Sequence, residues 1–175
     1  MGISYELHQI GELGTLPIGS QIAVKSSFEN LDQSLAFYYP LFSSDQYYYH
    51  HGVYLGDYKV IHFFGQDKDD AKPQICDIYR FAMNSADPKI YRVKYDDADH
   101  LRPVQDTLNL ANEVLKEPSL WPGYHLVRNN CETFATWLKT GKKVSAQISF
   151  ALQRVISLGT MVIGSSVGVA MSLRR

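Results

Sequence analysis

Near residue 100 the chain changes rhythm, and that change limits the folds open to it more than any other feature. Before it come short strand-like runs divided by turn signals; after it, apolar residues recur at helical spacing. Leu16 to Lys25 reads as a turn entering a first strand, and Ser26 to Asp45 as a connection, with a short helix or extended piece around Leu35 to Tyr39. Tyr47 to Leu55 and Lys59 to Phe64 read as a hairpin about Gly56-Asp57-Tyr58. Gln74 to Phe81 and Lys89 to Tyr95 read as two more strands, with Asn84 to Pro88 the loop between them. From Arg102-Pro103 to Pro118, Val104, Leu108, Ala111 and Leu115 recur at helical spacing. A second helix starts at Cys131, with Asn129 or Asn130 as its cap and Gly141 at its end. Strands first and helices afterwards predict an α+β domain.

A chain of 175 residues is long enough for one such domain and an appendage. Its net charge of −1 and its lack of a basic stripe give no field to gather nucleic acid. Two cysteines, Cys76 and Cys131, are too few for a disulfide framework. That suits a reducing compartment in which a thiol survives, a single Cys76–Cys131 bridge being the alternative. No positive region followed by an apolar run opens the chain, so no secretory signal is expected. Gly2 invites myristoylation, but Glu6 stands where that motif takes Ser or Thr.

The chemistry of the chain is carried by Cys131, His50 and His62. A thiol must lose its proton before it attacks a carbonyl carbon. The unpaired N–H groups and partial positive charge of a helix N-terminus favour the thiolate, and the same amides can hold an oxyanion. On a strand, His50, Gly52 and Tyr54 share one face and His51, Val53 and Leu55 the other. A three-residue loop at Gly56 to Tyr58 would set Gly52 opposite His62 and make His50 and His62 diagonal neighbours. A two-residue turn would put them on opposite faces. In the first register His50 is the general base toward Cys131 and His62 its orienting partner, with His51 the competitor under a slip of register. Against this stands a small buried cysteine and hydrogen-bonded structural histidines. Zinc held by two His and one Cys is a further alternative, though no second close ligand pair marks it. The reaction so read needs no cofactor.

From Val155 to Leu173 no residue is charged, a length of about 28 Å at helical rise, close to a hydrocarbon core. Arg154 precedes it and Arg174-Arg175 follow. Gly164 and Gly168 have the spacing through which membrane helices pair. The expected division is residues 1–146 as a catalytic domain and 147–175 as a hydrophobic helix that spans or lies on a membrane. The alternative is a helix that covers an apolar surface of the domain. A hydrophobic segment this close to the end leaves the domain facing the cytoplasm.

The run His50-His51-Gly52-Val53-Tyr54-Leu55-Gly56-Asp57-Tyr58-Lys59-Val60-Ile61-His62 resembles the histidine motif of the lecithin:retinol acyltransferase-like family. Asn130-Cys131-Glu132-Thr133-Phe134 resembles its Asn-Cys-Glu nucleophile motif, and histidines before cysteine is its order. The His-His-Gly start and the stretch from Cys131 to Lys139-Thr140-Gly141 are most similar to the plant-type branch. The likeness extends over roughly Leu16 to Gly141 and implies a circularly permuted papain-like fold, with an antiparallel sheet that carries both histidines packed on the cysteine helix. It further implies Cys131 as nucleophile, His50 as base and His62 as third member. The activity implied is that of a phospholipase or acyltransferase, passing an acyl chain from a phospholipid through acyl-cysteine to water, an amine, an alcohol or a lysolipid. Nothing in the chain resembles the insert that dedicates one member to retinol. A papain-like peptidase or amidase and a non-catalytic membrane adaptor of the same fold are the competing readings.

Overall fold

The computed structural model describes residues 3–27, 47–65, 69–83, 85–125, 128–153 and 156. Six strands form one antiparallel sheet: β1 (Tyr5–Gln9), β2 (Gln21–Ser27), β3 (Tyr47–Gly56), β4 (Lys59–Phe64), β5 (Lys72–Asp77) and β6 (Ser85–Tyr95), in the order β1-β6-β2-β3-β4-β5. The helices among the described residues include α1 (Ile78–Met83), α2 (Val104–Lys116) and α3 (Cys131–Thr140). Residues 146–153 are also helical. The fold class is α+β, as the change of rhythm predicts.

Alternation along the strands divides the core in two. Val53 of β3 with Ile61 and Phe63 of β4 face α3 and α2, burying Phe134, Ala135, Leu138, Ala111 and Val114 around Trp121. Tyr54, Val60, Ile22, Val24 and Ile90 face the other way, toward Ile78 and Phe81 of α1. Pro73, which cannot donate to a ladder, lies in the edge strand β5.

Several expectations are corrected. β1 carries no strong sequence pattern of its own; it forms because β6 offers an open edge, with Leu7 opposite Val93. The strand expected from Gln74 to Phe81 ends at Asp77. There the Asp77 carboxylate accepts the Tyr79 N–H at 2.8 Å, and α1 begins. Ile78 and Phe81, one helical turn apart, are then both buried under the sheet. The expected loop before Lys89 is already part of β6, bulged where it pairs with Lys25 and Ser26.

The hairpin reaches its expected register by a different route. Asp57 and Tyr58 form a two-residue turn, with φ of 47° and 58°, closed by Gly56 opposite Lys59. A bulge between Tyr54 and Gly56 shifts the count by one and returns Gly52 to a position opposite His62.

The proposed boundary after residue 146 falls inside the last described helix, whose Ile148 and Ala151 are buried. The apolar stretch 155–173, with Gly164 and Gly168, lies outside the described residues except for Ile156, as does most of the connection 26–45. Among the described residues no helix is long and apolar enough to cross a membrane.

Candidate active site

The hairpin forks where the site lies. β4 pairs with β3 only as far as His62 opposite Gly52, then Phe63 and Phe64 continue along β5 alone. β3 meanwhile runs on beside β2 as far as Tyr47. The backbone edge of β3 from His51 back to Tyr47 is thereby released from β4.

His50 and His62 flank this fork on one face. His50 Nε2 and His62 Nδ1 share a hydrogen bond of 2.9 Å, as diagonal neighbours around Gly52. Phe81 of α1 packs against both rings, with centroids 5.2 and 5.6 Å away, and Phe64 stacks on His62 at 5.4 Å. Desolvation under these aromatics holds the His50 imidazole well below its ordinary range, with His62 and then His51 adding to the effect. Burial, followed by the Arg80 charge, lowers His62 to about 4. The bonded pair is therefore neutral at pH 7.

Cys131 enters the fork from the other face. Asn130 caps α3, its side-chain oxygen accepting the Thr133 N–H at 2.8 Å, and Gly141 ends the helix with φ of 78°. Cys131 shares a helical stripe with Phe134, Ala135 and Leu138, which packs on the sheet face opposite the two imidazoles. The backbone N–H groups of His51, on the β3 edge that β4 has left, of Glu132 and of Cys131 itself lie near enough to favour its thiolate. Two residues further along that edge, Tyr49 N–H donates to Gln147 Oε1 at 2.8 Å, and Gln147 Nε2 donates to Tyr49 O at 3.0 Å. A side-chain amide thus takes a place that a strand would have filled.

The helix N-terminus does not by itself give a resting thiolate. Cys131 keeps part of its surface accessible, yet burial is the largest influence on it and pushes the thiol up to about 12. The three N–H groups pull it down and the Glu132 charge raises it again. At rest the sulfur carries its proton. Cys76 is also a free thiol, on β5 opposite Val60.

His51, the competitor for the base, points into the core beneath α3 and is fully buried. Its Nδ1 meets Gln21 Nε2 at 3.1 Å, the Tyr95 hydroxyl donates to Gln21 Oε1, and the Tyr5 ring stands edge-on at 5.9 Å. Among the described residues its Nε2 has no hydrogen-bond partner. Its link to the sulfur is through the main chain. Among the described residues no three His, Cys, Asp or Glu side chains gather to hold a metal ion.

Sequence reading missed the supporting residues: Tyr5, Gln21, Glu132 and Gln147. They lie far apart in the chain, and no local pattern marks Tyr5 or Gln147. Glu132 stands inside a recognised motif, but nothing in the motif shows what its carboxylate holds.

The family model described as lecithin retinol acyltransferase matches residues 41–144, more than half of the chain. No curated protein matches the sequence.

Proposed function

The chain belongs to the lecithin retinol acyltransferase family, and from that we propose a thiol-dependent lipid acyltransferase or phospholipase with Cys131 as nucleophile, His50 as base and His62 as orienter. Its coarse activity, acyl transfer or lipid-ester cleavage, follows from the family; the residue roles rest on the arrangement of the site. The observation that carries them is the fork, where His50 and His62 are bonded to each other beside a strand edge whose His51 N–H favours the Cys131 thiolate.

In this reading His50 shares its Nε2 with His62, and its Nδ1 takes the thiol proton around the edge of β3 that β4 has left, since α3 packs on the opposite face of the sheet. As sulfur bonds to the ester carbonyl carbon, its proton passes to His50 Nδ1 and the carbonyl π pair moves onto oxygen. Amides at the start of α3 are the donors for that oxyanion. Collapse breaks the acyl C–O bond; the departing alkoxide takes the proton from His50 and leaves as a lysolipid alcohol. Water, an amine, an alcohol or a lysolipid then attacks the thioester, again through His50, and the thiol is restored. Because thiol and imidazole are both neutral at rest, proton transfer accompanies attack instead of preceding it.

The circularly permuted papain-like arrangement is part of this proposal, supported by the order His50, His62, Cys131 and by a helix-borne cysteine packed on an antiparallel sheet. So is membrane association through residues 155–173 with the domain on the cytoplasmic side, supported by their freedom from charge. Incubation with mixed phospholipids followed by mass spectrometry tests the reaction. The expected result is an acyl adduct on the peptide that contains Cys131, absent in Cys131→Ala. An adduct elsewhere, or none, rejects the assignment.

A further inference from the structure

Glu132 is buried, with 1 % of its surface accessible, immediately after the nucleophile. Five donors converge on its two oxygens. The Tyr5 hydroxyl arrives from β1 at 2.5 Å and the Ser145 hydroxyl from beyond α3. The N–H groups of Ala146 and Gln147 approach at 2.8 and 3.3 Å, and Gln147 Nε2 at 3.1 Å. The same Gln147 amide bonds both the N–H and the C=O of Tyr49, the residue before His50. Tyr5 and residues 145–147 all lie outside the segment 41–144 that the family model matches.

From these contacts we infer that Glu132 is a positioning residue, the point at which the N-terminal strand and the segment after α3 together fix Cys131 against the released edge of β3. Its carboxylate ties down the first turn of α3, which carries the sulfur. Through Gln147 it ties down Tyr49, hence the strand that presents His50 on one side and the His51 N–H to the sulfur. Nucleophile and base belong to different elements on different faces of the sheet, so no single element sets their spacing. A carboxylate bonded to both surroundings does, and displacements near 1 Å are enough to cost about 10²-fold in rate.

The inference rests on the proposed reaction for its kinetic readout and on main-chain protection for an independent one. Tyr5→Phe and Gln147→Met are made in the full chain, each removing hydrogen bonds while keeping side-chain bulk. With a short-chain acyl ester, kcat falls at least about ten-fold while the burst amplitude, which counts competent cysteines, stays equal to that of the unmodified protein. Amide exchange at Tyr49 and His51 quickens at least about ten-fold, with Val53 and Ile61 unchanged. A fall in kcat matched by lost burst amplitude would mean unfolded enzyme and overturn the positioning role. Unchanged exchange at Tyr49 and His51 in both variants overturns it as well. If the unmodified chain forms no acyl-Cys131 adduct, the proposed reaction fails, while exchange still decides the positioning role.

Discussion

Gly52 of β3 stands opposite His62 of β4, and this pair is the last rung before the two strands part. A side chain at Gly52 would run into Val60, the Ile61 carbonyl and the Phe81 ring, and Phe81 packs on both imidazoles. The bulge that sets this rung lies between Tyr54 and Gly56, beside the turn.

Substituting Gly52→Ala tests the rung directly. The added Cβ would lie 2.6 Å from Val60 Cγ1, 2.9 Å from Ile61 O and 3.1 Å from the Phe81 ring. Val60 and the backbone at Ile61 are held by the sheet, so overpacking should destabilise the protein by about 1–3 kcal/mol. Urea denaturation measures the loss, and acyl-adduct formation should fall with it. An unchanged midpoint would show that α1 yields freely.

The histidines should separate by role. His50→Gln should lower the acylation rate by about 10²–10⁴-fold, and His62→Asn by less, because the orienting partner does not itself move the proton. His51→Leu should cost about 1–3 kcal/mol of stability by stripping Gln21 of its buried partner. Adduct formation should survive that change, because the link from His51 to sulfur is a main-chain N–H. If His51→Leu abolishes the adduct and His50→Gln spares it, the base has been misassigned.

Stability should fall on both sides of neutrality. His62 binds its proton at about 4 when folded and near 6.5 when unfolded, so between those values the unfolded chain holds more protons and folding weakens as pH drops. Cys131 loses its proton at about 12 when folded and near 9 when unfolded. Above pH 9 the unfolded chain therefore holds fewer protons, and folding weakens as pH rises. Melting temperatures from pH 4 to 11 should show a plateau between roughly 6.5 and 9. Cys131→Ala should lessen the alkaline slope and leave the acid side unchanged, the rest of that slope being carried by Cys76, which burial pushes up to about 11, and by the buried Tyr5 and Tyr95.

Truncation should distinguish anchoring from catalysis. Ending the chain at residue 153 keeps Gln147, Ile148 and Ala151 in place and should release the protein from liposomes while sparing turnover of a soluble ester. Ending it at residue 146 removes the amide that bridges Tyr49 and Glu132, and turnover should be lost as well. Equal pelleting of the full chain and the chain ending at 153 would remove the anchor from the proposal.

Local chemistry made much of this protein legible in its residues. Alternation placed His50, Gly52 and Tyr54 on one face and His51 on the other, because period two is a property of any strand. Asn130 and Gly141 marked the ends of α3, because a helix terminus must satisfy its own amides and carbonyls. Asp57-Tyr58 did not announce a two-residue turn, since Tyr58 does not favour the positive φ that such a turn needs at its second position, and only the sheet's register shows the bulge that compensates for it. Gln74 to Phe81 reads as a strand by composition, yet burial of Ile78 and Phe81 against the sheet favours a helical turn from Ile78 onward. The thiol's elevated pKa and the bonds among Tyr5, Glu132, Gln147 and Tyr49 belong to the tertiary structure alone. Desolvation and contacts across a hundred residues depend on which surfaces meet, and no run of neighbouring residues carries that information.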